Sequence, residues 1–93
     1  MNDMKKAVIR VLGTDCKGII ANVSRILYES DANILDISQT VVSGLFTMVL
    51  IADVTSEKCD FDLLRKQLTD LGTHMGLQIR TLRSEIFEAM HQI

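Results

Sequence analysis

The pattern of apolar and polar positions along this chain predicts a β-strand in each of four segments. Residues 7–12 predict the first strand, with Ala7, Ile9 and Val11 on one face and Val8, Arg10 and Leu12 on the other. Residues 34–42 and 45–54 are rich in β-branched and aromatic residues and are separated by Ser43-Gly44, a pair suited to positive φ, so they predict a hairpin. Residues 77–82 alternate again and predict a fourth strand.

Two other segments carry apolar residues at helical spacing. The apolar positions of the first predicted helix are Ile19, Ile20, Val23, Ile26 and Leu27, and those of the second are Phe61, Leu64, Leu68, Leu71 and Met75. Asp15 is the candidate N-cap of the first helix, and Asp31–Asn33 would end it because Asp and Asn tolerate left-handed backbone. Gly72 is unfavourable within the second helix by about 1 kcal/mol relative to Ala, whereas Gly76 is the stop signal.

A short C-terminal helix is predicted after the fourth strand. Ser84 would cap it, and its apolar residues are Ile86, Phe87 and Met90. The whole order, β-α-β-β-α-β plus this helix, predicts an α+β fold of the ferredoxin-like class: a split βαβ sandwich in which two helices cover one face of an antiparallel sheet. We expect a single domain over residues 1–93, with a core over 5–83 and the tail helix over 84–93.

The third strand is apolar on both of its faces. Phe46, Met48 and Leu50 alternate with Leu45, Val49 and Ile51, whereas a strand with one face in water should alternate apolar with polar residues. The sequence therefore predicts that the face without helices meets another protein surface.

Composition and charge exclude several classes of function. The 10 Lys and Arg residues against 12 Asp and Glu residues give a net charge of −2, and no basic cluster suits a row of phosphates, so we expect no nucleic-acid partner. Cys16 and Cys59 form no CxxC motif, which argues against a disulfide framework or a thiolate metal site, and we expect no cofactor. The longest apolar run, residues 46–52, is too short to span a bilayer, so we expect a cytoplasmic protein without membrane association.

The polar loop between the first strand and the first helix is the candidate site. The N–H groups that open a helix have no intrahelical partner and suit a carboxylate, while Gly18 lets a ligand approach without a Cβ in the way. Asp15 would pair with an ammonium group. Asn33, at the far end of the helix, would come near the loop only if the second strand lies beside an assembly interface, where its amide both donates and accepts. An amino acid matches this set of groups.

The same residues also fit a purely structural interpretation. Asp15 would then cap the helix, Gly18 would permit tight packing and Asn33 would close the helix end, and caps are commoner than ligand sites.

Catalysis is not expected. Gly13 and Gly18 have the spacing of a phosphate loop, but Ile19 and Ile20 follow where that motif needs Lys and Ser or Thr.

The loop Gly13–Ile19, the helix after it and Asn33-Ile34 together resemble the ACT domain, a small regulatory ligand-binding module. The resemblance runs from about Lys5 to Arg83, and the tail resembles that of small stand-alone ACT proteins. It implies an amino acid or a similar effector bound at a subunit interface, with contacts from Asp15 and Gly18 of the loop and from Asn33 and Ile34 of the next strand. With the loop neighbours included, the candidate site is Asp15, Cys16, Lys17, Gly18, Ile19, Asn33 and Ile34. Lys17 stands where the family often has Pro, and Asp31 where it often has Gly.

Two functions follow from these observations. The first is a regulatory module, a homodimer or higher homo-oligomer, that binds an amino acid where the first helix meets strand 34–42. It would act by shifting an assembly equilibrium or its binding to an unknown protein partner. The second is an interaction module that uses the same strand edge and sheet face to dimerise or dock without a small ligand.

Overall fold

A computed structural model describes residues 4–85. The elements in this range are β1 (Lys6–Thr14), α1 (Ile19–Glu29), β2 (Asn33–Val42), β3 (Leu45–Asp53), α2 (Phe61–Met75) and β4 (Leu77–Arg83). This order confirms the predicted β-α-β-β-α-β arrangement. The predicted tail helix falls, after Glu85, outside the described residues.

The four strands form one antiparallel sheet in the order β2-β3-β1-β4. Because β1 and β2 both run antiparallel to β3, they point in the same direction with β3 between them. Both helices contribute side chains to a single buried cluster on one face of the sheet, which confirms the ferredoxin-like sandwich. β2 is therefore an edge strand, and its outer backbone groups have no neighbour within the described chain.

The core lies between the two helices and one face of the sheet. Its fully buried members include Ile9 and Val11 from β1, Met48 and Leu50 from β3, Val23 and Leu27 from α1, and Leu64 and Leu68 from α2. Ala7, Ile9 and Val11, which were predicted to share one face of β1, are all buried, and Val8 on the other face is buried as well. Ile20 departs from its prediction: it was placed on the apolar face of the helix, but 39% of it is exposed.

The prediction that Asp15 caps α1 is wrong. The N-cap is Gly18, in the left-handed region at φ 87°, and no side chain caps this end of the helix. Asp15 is held further back because its N–H donates to the carbonyl of Gly44 at 2.9 Å, which ties it to the β2–β3 turn. The other end of α1 is as predicted, since the helix stops at Glu29 and Asp31 has a φ of 60°.

Other predicted boundaries are confirmed by backbone geometry. Ser43 and Gly44 have φ values of 52° and 80°, as the predicted hairpin requires, and Gly76 ends α2 at φ 74°. Asp60 caps α2 by accepting a hydrogen bond from the Leu63 N–H at 3.2 Å, a cap that was not predicted from the sequence. A register shift in β2 between Ile34 and Asp36 was also not predicted.

The second face of the sheet carries no helix from the described residues, and we call it the open face. On β3 it presents Leu45, which is 49% exposed, and the half-buried Val49 and Ile51, so the strand is indeed apolar on both faces. The protein surface expected against it stays a prediction. Across residues 4–85, no helix has the length and apolarity needed to cross a membrane.

Candidate functional site

An open groove of about 560 Å³ lies between the loop after β1, the start of α1 and the last residues of β2. We call it the loop groove. The residues that line it are Asp15, Cys16, Gly18, Ile19, Ile20, Ala21, Gln39, Thr40, Val41 and Phe46. Four of them belong to the predicted site, and the other six extend it along α1, β2 and β3.

The sheet register brings the loop and the end of β2 together. Thr14, the last residue of β1, pairs with Leu45, and so does Val42, the last residue of β2. The loop that follows Thr14 therefore starts at the end of the sheet where β2 finishes. The hydrogen bond from the Asp15 N–H to the Gly44 carbonyl then fixes the loop against the hairpin turn.

The start of α1 presents unpaired amides to the groove. The carbonyl of Gly18 accepts from both the N–H and the Nδ2 of Asn22, at 2.9 and 2.8 Å. The first turn contains no acidic residue, and the N-cap residue, Gly18, has no side chain that could cap the helix. Helix geometry leaves the N–H groups of Ile19, Ile20 and Ala21 without intrahelical acceptors, and the helix dipole adds partial positive charge there. This wall of the groove therefore suits a carboxylate.

Asp15 supplies the only charged side chain among the described residues that line the groove. Asp15 is exposed, and its carboxylate makes no hydrogen bond or ion pair with a described residue. An anionic side chain in this state suits an ammonium group on a ligand. The groove thus pairs one free carboxylate with one set of free amides, which is the complement of a zwitterion.

The remaining walls are apolar, with two neutral polar groups. Phe46 is only 4% exposed and forms the floor, while Ile20 and Val41 are 39% and 52% exposed. Gln39 and Thr40 contribute an amide and a hydroxyl from β2. A ligand side chain would meet mainly hydrocarbon here.

The structure divides the predicted site residues into two groups. Asp15, Cys16, Gly18 and Ile19 line the loop groove, whereas Lys17 belongs to the same loop but is not among the lining residues. Asn33 and Ile34 pair with Asp53 and Ala52, at the opposite end of the sheet. The length of β2 separates them from the loop by roughly 30 Å at a rise of about 3.3 Å per residue. A single chain therefore does not bring the two groups together.

Sequence reasoning missed Gln39, Thr40 and Val41 as groove residues. The signal that would have found two of them is the hairpin register. The Ser43-Gly44 turn places Val41 opposite Phe46 and Gln39 opposite Met48, both of which the sequence assigns to one face of β3. Val41 and Gln39 consequently lie on the face that also carries the helices.

The titratable groups with shifted pKa values lie away from the groove. Burial raises the pKa of the Cys59 thiol, and the charges of Asp31 and Asp60 raise it further. Hydrogen bonds from Thr55 lower the pKa of Asp53. Among residues 4–85, no three His, Cys, Asp or Glu side chains converge in a way that would hold a metal ion.

Comparisons with known proteins agree with this architecture. Residues 5–81 match a sequence profile of the ACT domain. A UPF0237 protein of Methanocaldococcus jannaschii is 42% identical over 90 residues, covering 97% of this chain and 100% of that protein. A UPF0237 protein of Bifidobacterium longum is 46% identical with the same coverage. An ACT domain protein from Streptococcus pneumoniae is 38% identical, with a TM-score of 0.78 over 96% of this chain and 100% of that one.

Proposed function

Because this chain belongs to the ACT-domain family of regulatory ligand-binding modules, we propose that it binds an amino acid in the loop groove and that two copies joined along β2 complete the site. The observation that carries this proposal is the pairing of the free Asp15 carboxylate with the uncapped start of α1 in one groove. Since Asp15 does not cap the helix, the structural interpretation of that residue loses its main support.

The ligand is oriented by charge at both of its ends. Its ammonium group meets Asp15, and its carboxylate accepts hydrogen bonds from the first-turn N–H groups of α1. Its side chain lies against Ile20 and Val41 above Phe46, so the groove favours an apolar side chain. No Lys or Arg is among the described residues that line the groove, so no side-chain cation there competes with the α1 N–H groups for the ligand carboxylate.

The second copy is inferred from the edge strand. Every residue from Leu35 to Val42 is exposed in the described chain, and several are apolar. An edge of this kind pairs readily with another strand. A two-fold axis beside β2 would pair the strand antiparallel with its own copy, so that Asn33 and Ile34 of the partner subunit lie next to Val42 and the loop groove. The two groups of predicted site residues, which are far apart in one chain, would then meet across the interface.

Regulation follows from this shared site. A ligand that contacts both copies binds the dimer more tightly than the monomer, and it shifts the equilibrium by no more than that difference in affinity. No catalytic group is needed for this role. The dimer would in turn present different surfaces from the monomer to a protein partner.

A melting experiment with the twenty amino acids tests the proposal. We expect at least one apolar amino acid at millimolar concentration to raise the melting temperature, because a ligand that binds only the folded protein stabilises it. Asp15→Asn should abolish the shift while leaving the unliganded protein folded, since Asp15 is exposed. Glu57→Gln removes the same charge from an exposed residue outside the groove and should keep the shift. Absence of any shift in the wild type, or an equal shift in Asp15→Asn, would contradict the proposal.

The exposed edge also favours a second function, an interaction module without a small ligand. Its apolar residues Ile37, Val41 and Val42 are 40%, 52% and 63% exposed, and they would be covered by a docked strand alone. Light scattering distinguishes the two functions. If none of the twenty amino acids changes the mass or the melting temperature of the oligomer, the result supports an interaction module without a small ligand. A ligand-dependent change in either quantity supports a ligand-binding regulatory module.

A further inference from the structure

The open face carries two arginines that face each other across neighbouring strands. Arg10 on β1 is directly opposite Arg80 on β4. Their neighbours Ile9, Val11 and Ile79 are buried in the core, so the alternation of strand side chains directs both arginines away from the helices. Directly opposed residues in an antiparallel pair have Cβ atoms about 4.5 to 5.5 Å apart, which allows both guanidinium groups to reach one ligand.

These two arginines differ from the other three in the chain, which all have a partner. Arg25 pairs with Glu29 at 3.5 Å, Arg65 with Asp62 at 3.3 Å, and Arg83 stacks 4.2 Å from the ring centroid of Phe61. The guanidinium groups of Arg10 and Arg80 make no hydrogen bond, ion pair or ring contact with any residue from 4 to 85. Like charges directly opposite each other destabilise a strand pair, so an anion between them would relieve that repulsion.

A cleft of about 230 Å³ surrounds the arginine pair. Gln78 and Thr47, which both pair with Leu12, add an amide and a hydroxyl to its wall. Leu12 and Val49 supply apolar surface on the same face. Asp36, the acidic residue of β2, instead accepts a hydrogen bond from the Ile37 N–H at 2.9 Å and makes no ion pair with either arginine. The cleft therefore offers cationic and neutral donors to an oxyanion.

We propose that Arg10 and Arg80 bind the carboxylate or phosphate group of a small metabolite on the open face of the sheet. Paired guanidinium forks bind the oxygens of such groups with two parallel hydrogen bonds each. A nucleic acid does not fit, because the net charge is −2 and no further basic cluster extends the pair. A second copy of the chain, packed on the open face about a two-fold axis through the Arg10–Arg80 pair, does not fit either, since it would bring four guanidinium groups together. The site lies on the other side of the sheet from the loop groove and does not depend on its ligand.

Titration of the ¹⁵N-labelled protein with inorganic phosphate and, separately, with succinate at constant ionic strength tests the site. We expect saturable shifts at Arg10, Gln78 and Arg80, and the anion that binds more tightly identifies the group recognised. Arg10→Gln and Arg80→Gln should each weaken binding by about tenfold or more, because each removes charge-assisted hydrogen bonds. Arg80→Lys, which keeps the charge but not the fork, should bind at an intermediate level.

The matched control removes a positive charge elsewhere. Lys58 is exposed in the segment between β3 and α2, and Lys58→Gln should leave anion binding unchanged. The proposal is overturned if neither anion gives a saturable shift, or if Lys58→Gln weakens binding as much as the two arginine variants do. It is also overturned if the shifts spread over all exposed cations rather than following the Arg10–Arg80 row.

Discussion

At the scale of single residues, the close approach of α2 to the backbone at Leu77 explains why a glycine stands at position 72, where helix propensity alone would favour another residue. Gly72 lies inside α2, where Ala would be favoured by about 1 kcal/mol. A Cβ at this position would lie 2.8 Å from the carbonyl oxygen of Leu77 and 3.1 Å from Cγ1 of Ile79. The contact with the backbone oxygen cannot be relieved by a rotamer change. Gly72 therefore allows α2 to pack closely on the start of β4.

Replacing this glycine should reverse the usual effect of alanine in a helix. We expect Gly72→Ala to lower the free energy of unfolding by about 1 to 2 kcal/mol, because the cost of overpacking exceeds the gain in propensity. Thr73→Ala, at the next and exposed position of the helix, should be neutral or slightly stabilising. Urea denaturation of both variants gives the comparison, and a stabilised Gly72→Ala protein would contradict the packing argument.

The two cysteines differ in their local environment. Cys16 is exposed in the loop groove, whereas Cys59 is half-buried and packs against the core. Burial first, and then the charges of Asp31, Asp60 and Asp53, raises the pKa of the Cys59 thiol. A raised pKa means that less of the reactive thiolate is present near neutral pH.

We therefore expect iodoacetamide at pH 7.5 to alkylate Cys16 well before Cys59, as followed by mass spectrometry of the folded protein. The rate at Cys59 should rise as the pH increases toward its raised pKa. Cys16→Ser serves as the control, since it leaves Cys59 as the only thiol in the chain. Equal rates for the two thiols in the wild type would show that the environment of Cys59 does not suppress its ionisation.

At the scale of elements, β2 is an edge strand whose outer side has no neighbouring strand among the described residues. Its pattern of exposure is continuous from Leu35 to Val42, unlike that of β1 and β3, whose alternate residues are buried. The register shift between Ile34 and Asp36 changes the local twist without covering the edge. An assembly that used this edge would cover the outward backbone groups and the apolar side chains together.

A charge placed in this strand should prevent that assembly. We expect Ile37→Lys to raise the dimer dissociation constant by about tenfold or more, because two-fold pairing would bring two like charges together near the axis. Leu63→Lys introduces the same charge at an exposed position of α2 and should have no effect. Sedimentation velocity over a range of concentrations measures both constants. A dimer that is equally stable in the two variants would place the interface elsewhere.

Local patterns were sufficient to predict the elements but not all of their connections. The shared face of Ala7, Ile9 and Val11, the Ser43-Gly44 turn and the Gly76 stop each depend on a few neighbouring residues, and all three are confirmed. The role of Asp15 was predicted wrongly, because its N–H donates to the carbonyl of Gly44, which is far away in the sequence. The contributions of Gln39 and Val41 to the groove depend on the order of strands in the sheet, which no local pattern specifies.

At the scale of the whole molecule, the sheet separates two regions of different chemistry. The loop groove, on the helix side, combines one carboxylate with the free amides of α1. The cleft on the open face combines two arginines with a few neutral donors. The first suits a zwitterion and the second an anionic group, so the two sites differ in the net charge of the ligand that they favour.

The separation of Asp15 from Asn33 is the central constraint on any account of the loop groove. The two residues lie at opposite ends of the sheet, because β1 and β2 run in the same direction. Only a second copy can supply Asn33 to a groove that already contains Asp15. A site shared in this way has a consequence that no site within one chain can reproduce, namely complementation between two defective copies.

Mixing Asp15→Asn with Asn33→Ala protein, after dissociation and reassembly, tests this claim most directly. Each variant alone should fail to bind the amino acid that most raises the wild-type melting temperature. In a mixed dimer, one groove receives both defective residues and the other receives intact Asp15 and Asn33. Calorimetry should therefore recover one wild-type-affinity site per mixed dimer. No recovered binding in mixtures shown to contain mixed dimers, or full binding by the Asn33→Ala protein alone, would contradict a groove completed by two copies.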